Sequence, residues 1–252
     1  MIIYKSADEL SRMRTSGRIL AGVIGRVLES VAPGLSTDDL DRIAEETTRE
    51  AGAVPSFLGY RGFPKTICSS LNDEIVHGIP SPARVLEDGD LLSLDFGCIW
   101  EGFHSDSAVT VFVGEPPSNE AEKLVQVTRE ALEAGIEVIR PGAHLSDISH
   151  AVEQVAGGAG FGVVREYVGH GIGRAMHEDP QIPNYGPPGR GPVMKPGLVI
   201  AVEPMVNLGG WETRLMADNW TVVTADGSLS AHFEHTIAVT EEGHEVLTAR
   251  TA

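Results

Sequence analysis

DLLSLDFGCIWEGFHSDSAVTVFV, residues Asp90 to Val113, reads as two β-strands folded back on each other, with Asp95 in the first arm and Asp106 in the second. Both arms are rich in apolar and β-branched residues, and Trp100-Glu101-Gly102 between them is a natural place for the chain to reverse. A turn centred between Trp100 and Glu101 places Asp95 directly opposite Asp106. Such neighbours stand roughly 4.5 to 5.5 Å apart at Cβ, where like charges repel. Two carboxylates in a half-buried sheet then need a shared proton, a basic partner or a cation. No Lys or Arg occurs in the segment, which brings a divalent metal to the front. The competing reading is a register off by one, which sends the two side chains to opposite faces and leaves one acid in solvent.

Outward from the hairpin, the 252-residue chain can bury a full core as one domain or two small ones. Its 29 Gly and 15 Pro suggest many tight turns. A net charge of -17 argues against DNA, RNA or an anionic membrane as partner, because each of these calls for a basic face. Cys68 and Cys98 have no C-x-x-C spacing, which excludes a structural zinc module and fits a reducing cytosol. The N-terminus MIIYKSADELSRMR has no apolar signal core, and no run approaches a membrane span. A cytoplasmic protein is expected.

The chain repeats its plan. A capping box at Ser6 to Glu9 opens a helix that runs to Pro33-Gly34, and a second helix spans about Ser36 to Ala51. After the hairpin, helices are expected again at about Asn119 to Ile139 and Ser146 to Val155. Strands follow at Val163 to Val168, Leu198 to Val206, Asn219 to Val223 and Phe233 to Val239. Pro33-Gly34 with Asp39-Leu40 recurs 108 residues later as Pro141-Gly142 with Asp147-Ile148. The same offset carries Gly89 to Gly197 and Asp95 to Glu203, an acid onto an acid, while His77-Gly78-Ile79 recurs as His170-Gly171-Ile172 at an offset of 93, so a loop differs in length there. Three matches in one order indicate a duplicated half. The partner of Asp106 is then Glu234 in AHFEHTIAVT.

Glu203 shares an expected strand face with Val199, Ala201 and Met205, where an ionised carboxylate is costly unless it meets a cation. Glu234 shares its face with His232 and Thr236. His170 lies between glycines, where backbone can approach closely. Four carboxylates and one imidazole suit two metals bridged by carboxylates, and the donor set admits Mn, Fe, Co or Zn. Two such ions acidify a bridging water and stabilise its attack on a carbonyl. His77 and His177 remain to donate hydrogen bonds.

The segments NDEIVHGIP, SLDFG with FHSDSAVTV, YVGHGIGRAMHEDP, AVEPMVN and AHFEHTIAVT resemble, in order and spacing, the signature blocks of the type I methionine aminopeptidases. The resemblance covers nearly the whole chain and is to the minimal bacterial form. It implies the α/β pita-bread fold, two pseudo-twofold halves with a central antiparallel-rich sheet and outer helices. A single catalytic domain over residues 1-252 is expected, with half-repeats at roughly 5-114 and 118-240. Matched residue by residue, the resemblance implies that Asp95, Asp106, His170, Glu203 and Glu234 ligate two divalent ions, with Asp106 and Glu234 bridging. It implies that Glu203 also shuttles a proton and that His77 and His177 contact the scissile peptide. Tyr60, Phe63, Cys68 and Trp220, with Phe57 and Met176 alongside, would line the methionine pocket. Cys is the more usual residue at position 57 and Phe at 176, which touches pocket shape and leaves the chemistry alone.

The implied substrate is the N-terminal Met of nascent proteins with a small second residue. It carries with it a transient ribosome association that the acidic charge does not advertise, and a monomer is the family expectation. Two other readings compete. Prolidase-like Xaa-Pro peptidases share the fold and a similar ligand set, but carry an additional N-terminal domain for which this chain has no room. A metal-free binding module of the same fold would not need all five ligand positions filled.

Overall fold

A computed structural model describes residues 1–250. Four α-helices, α1 (Ala7–Leu28), α2 (Thr37–Glu50), α3 (Asn119–Glu137) and α4 (Leu145–Gly158), are joined to short strands. The first half of the chain contributes β1 (Val54–Pro55), β2 (Ile67–Leu71), β3 (Glu74–Val76), β4 (Leu91–Trp100) and β5 (Phe103–Phe112). The second contributes β6 (Gly162–Val163), β7 (Gly169–Gly171), β8 (Glu178–Ile182), β9 (Val199–Val202) and β10 (Met205–Asn207). It then adds β11 (Thr213–Leu215), β12 (Val222–Thr224), β13 (Ser230–His232), β14 (His235–Val239) and β15 (His244–Val246). No described helix is long and apolar enough to cross a membrane.

Helix starts follow local chemistry. Ser6 with Glu9 and Ser36 with Asp39 form reciprocal capping boxes, which satisfy two otherwise unpaired N–H groups at each start. α1 ends earlier than Pro33, because Ser30 and Val31 donate back only three residues, to Val27 and Leu28, and the last turn tightens out of α geometry.

Every strand pair is antiparallel. β4 is the hub of one sheet, with β5 on one edge and β1 and β2 sharing the other. The largest sheet runs β15-β14-β9-β7-β8. The helices pack their apolar faces against these sheets, and the main core joins Leu20, Ile24 and Leu40 to Leu92, Leu94 and Ile237.

The hairpin is present in a different register. Trp100 pairs with Phe103, so the turn is Glu101-Gly102, with φ of 47° and 79°. Two consecutive left-handed residues make the tight hairpin turn whose twist matches the strands. Asp95 therefore faces Ala108, and Asp106 faces Gly97. The shift is by two residues, which preserves the face, so the acids are diagonal neighbours rather than direct ones.

Two expected strands are broken at their acids. Leu198 to Val206 divides at Glu203-Pro204, since Pro204 has no N–H for a ladder. Phe233 to Val239 begins only at His235, and Glu234 N–H donates to Ala108 O at 3.1 Å instead of to a strand partner. Both carboxylates thus sit where the backbone is free to turn them inward, off the strand face first assigned to Glu203.

Contacts recur at the offset seen in the sequence. Isolated bridges join Ser36 to Val85 and His144 to Val193, each residue 108 positions after its counterpart. Gly34 N–H donates to Leu86 O at 2.8 Å, and Gly142 N–H to Met194 O at 3.0 Å. Between the halves, β5 and the chain through Glu234 are laced by hydroxyls. Thr236 bonds both the N–H and the C=O of Asp106 (2.9 and 2.8 Å), Ser107 donates to Glu234 O (2.7 Å), and Thr110 bonds His232 (2.8 Å). That lacing brings Asp106 to Glu234.

Candidate metal centre

Five side chains from five segments converge. Asp95 comes from β4, Asp106 from β5, His170 from β7, Glu203 from the β9–β10 break and Glu234 from the β13–β14 break. His170 Nε2 stands 3.6 Å from Asp106 Oδ2 and 3.5 Å from Glu203 Oε1. One ligand atom each of Asp106, His170 and Glu234 lies within 4.8 Å of the others. His170 donates from Nδ1 to Gly171 O at 2.9 Å, which turns Nε2 toward the carboxylates. The flanking glycines make this possible. A Cβ on Gly169 would stand 2.4 Å from Ala201 O, and one on Gly171 would stand 2.2 Å from Asp179 O, so any other residue would push His170 off its neighbouring strands.

Burial, reinforced by neighbouring carboxylates, pushes Asp95 and Glu234 well above the usual carboxylate range. Burial likewise lifts Glu203 to about 8, with the charge of His170 opposing and that of Asp106 adding. Burial works against a charged His170, yet Asp106 and Glu203 outweigh it and raise the imidazole to about 9. Asp95 Oδ1, Asp106 Oδ1 and Glu234 Oε1 are buried without a hydrogen-bond partner. Among the described residues, no Lys or Arg lies within ion-pair distance of the four acids, and His170 is their one basic partner. Buried oxygens left over on several acids are expensive. Oxygen-rich donors plus one imidazole are what a first-row divalent cation accepts, so the residues fit one chemically.

The protonation pattern sets a stability test on metal-free protein. Between pH 6.5 and 8 the folded protein holds protons on Glu203 and His170 that the unfolded chain has released, so stability falls as pH rises. His77, His177, His232 and His235, pushed down to about 4 or 3 chiefly by burial, act oppositely, but only below about pH 6.5. Each raised group contributes at most about 1.4 kcal/mol per pH unit. The melting temperature of metal-free protein should therefore drop by several degrees from pH 6.5 to 8, and excess Mn should abolish the drop. A flat profile without metal, or the same slope with it, would contradict the site.

All the residues singled out in the sequence line one cavity of about 190 Å³. The four acids and the His170 imidazole form one side. Phe57, Tyr60, Phe63, Cys68, Met176 and Trp220 form another, as part of an apolar cluster separate from the main core. Phe63 and Trp220 meet edge to face at 5.1 Å. His77 and His177 complete the lining. His77 adopts φ 62°, a conformation a non-glycine residue holds only under constraint, and its ring stands edge-on to Tyr167 and Trp220. Burial holds it near 4, neutral at pH 7. His177 shares a 2.8 Å hydrogen bond between Nδ1 and the Tyr60 hydroxyl, and its ring lies 4.2 Å from that of His170.

Arg61, Val76, Tyr167, Val168, Met205 and His232 also line the cavity and were not singled out in the sequence. Tyr167 and Val168 stand in the YVGHGIG block, Met205 follows Glu203, and His232 precedes Glu234 by two residues, so proximity to the ligand motifs was the available signal. Nothing local marks Arg61. His232 Nε2 is buried without a partner.

The model of metallopeptidase family M24 matches residues 11–241. Methionine aminopeptidase 1 of Bacillus subtilis is 53% identical over 248 residues, spanning 98% of this chain and 99% of that protein. The crystal structure of methionine aminopeptidase from Thermotoga maritima superposes with a TM-score of 0.97 at 44% identity, covering 99% of this chain and 100% of that one. Prolidase from Pyrococcus furiosus shares the fold alone, with a TM-score of 0.79 at 21% identity over 99% of this chain and 66% of its own. The architecture is the pita-bread fold, and the buried acids and imidazole are those of a protein that uses divalent metal. The chain belongs to metallopeptidase family M24 and, within it, to the methionine aminopeptidases.

Proposed function

We propose that this chain removes the N-terminal methionine from newly made proteins whose second residue is small. The observation that carries the reading is a single cavity in which four carboxylates and an imidazole face a wall of aromatic and sulfur side chains. An N-terminal methionine offers both complements, a cationic amine and a flexible, polarisable apolar side chain.

In this reading Asp95, Asp106, His170, Glu203 and Glu234 would hold two divalent ions, Co, Mn, Fe or Zn. When bound, such ions polarise the scissile carbonyl and make water a stronger acid. Glu203 takes a proton from the attacking water and passes it to the departing amine. It is the most accessible of the acids for which ion-pair geometry is seen, with a side chain 14% exposed against 6% for Asp106, so it alternates most readily between water and substrate. His77 and His177, both held neutral by burial, donate hydrogen bonds to the peptide and its developing oxyanion. Phe57, Tyr60, Phe63, Cys68, Met176 and Trp220 bind the methionine side chain and keep bulk water from it. Residues 1-252 act as one catalytic domain, a cytoplasmic monomer that meets its substrates as they leave the ribosome.

The deciding experiment compares Met-Ala-Ser with Xaa-Pro peptides, using purified protein supplied with Mn or Co. Met release from the first and none from the second is expected. Preference for Xaa-Pro would move the chain to the prolidase-like activities, and no release from either would leave a binding module.

A further inference from the structure

We infer that Arg61 reads the substrate beyond the cleaved bond and favours peptides with acidic side chains near their third and fourth positions. This rests on the peptidase reading above and adds a specificity to it. Among the described residues lining the cavity, Arg61 is the one Lys or Arg, in a protein of net charge -17. It is exposed, and no described carboxylate lies within ion-pair distance of it. Its place is built into the backbone. Gly59 (φ 82°), Arg61 (φ 50°) and Gly62 (φ 89°) form a tight left-handed turn, and its Arg61 lines the cavity while staying exposed to solvent. The guanidinium lies 5.3 Å from the centre of the Tyr60 ring, and that ring lies 5.5 Å from His177.

The geometry sets which part of a peptide it meets. The amine and first side chain are consumed inside the cavity by the acids and the apolar wall, so the rest of the chain leaves by the mouth. From His177, taken as the contact to the scissile peptide, Arg61 is at most roughly 11 Å away through Tyr60. An extended chain advances about 3.3 to 3.6 Å per residue, which puts the guanidinium no more than about three residues past the cleaved bond, in reach of the third and fourth positions of the peptide. A carboxylate there meets a cation with no competing partner. A lysine there meets repulsion from Arg61 itself.

The test uses Mn-loaded enzyme with Met-Ala-Asp-Asp-Ser and Met-Ala-Lys-Lys-Ser, both amidated at the C-terminus. An exposed pair is worth a few-fold. Wild type should therefore favour the acidic peptide about threefold to fivefold in kcat/KM, mainly through KM, with the preference fading in high salt. Arg61→Asn, which tolerates the left-handed backbone, should bring the ratio to about one, and Arg61→Glu should invert it. Equal turnover of the two peptides by wild type, or a ratio unmoved in both variants, overturns the assignment while leaving the peptidase reading intact. Release of Met from neither peptide sinks both.

Discussion

An Asp106→Asn variant should release methionine from Met-Ala-Ser about a thousandfold more slowly than wild type and bind divalent metal far more weakly, while remaining folded. Asp106 is central by position. It is 3.6 Å from His170 and belongs with Glu234 to the tightest group of candidate ligand atoms. Its Oδ1 is buried with nothing to bond. Replacing the carboxylate by an amide removes one negative charge and one acceptor where a shared cation would sit. Lewis-acid stabilisation of a transition state is worth several kcal/mol, and each 1.36 kcal/mol is a factor of ten. The fold should survive, because the Asp106 backbone is held by Thr236 and the new NH2 has buried acid oxygens to donate to. Metal-free Asp106→Asn should even melt above metal-free wild type, since one of several mutually repelling carboxylates is gone. Metal content, Met release and melting temperature are read on the same preparation. Wild-type activity with full metal content would remove Asp106 from the centre.

How far the site could be read in the chain depended on which errors were harmless. The turn at Glu101-Gly102 moved the register of β4 and β5 by two residues, and because strand side chains alternate with period two, Asp95 and Asp106 stayed on one face. A shift of one would have separated them. Glu203 and Glu234 do line the cavity beside the other acids, but off the strands assigned to them, since Pro204 and the turn of chain before His235 break strands that apolar periodicity extends through. β8, with sequence EDPQI, carries two acids and a proline and reads as a loop. It is tolerated because it lies at a sheet edge, where a missing N–H costs no ladder bond. β2 is hidden among Gly and Pro residues for a related reason, being short and dependent on β4 for its pairing. The apolar pocket had no periodic signature at all, because its residues come from loops and strand ends far apart in the chain. Only the resemblance to a known family connected them. Arg61 escaped both kinds of reading, as a single cation in an irregular stretch whose meaning comes from what surrounds it in space.

Replacing His177 with alanine should separate binding of metal from chemistry. Turnover of Met-Ala-Ser is expected to fall about a hundredfold to a thousandfold, the usual cost of one donor aimed at a developing oxyanion, with metal content unchanged. The imidazole is held for such a role. Burial, then the positive charge of His170, pushes it down to about 3, so at pH 7 it is neutral and must place its one proton on one nitrogen. The Tyr60 hydroxyl shares a 2.8 Å hydrogen bond with Nδ1, and in the tautomer in which Nδ1 accepts it the ring proton sits on Nε2. Tyr60→Phe should then give a smaller loss in kcat than His177→Ala, since the ring remains but its tautomer is no longer enforced. The ring lies 4.2 Å from His170 and yet makes no ion pair with any of the four acids, which separates it from the ligand set. Equal losses of metal and turnover in His177→Ala would mean that a ligand had been taken for a donor, and full turnover in both variants would leave the oxyanion to His77 alone.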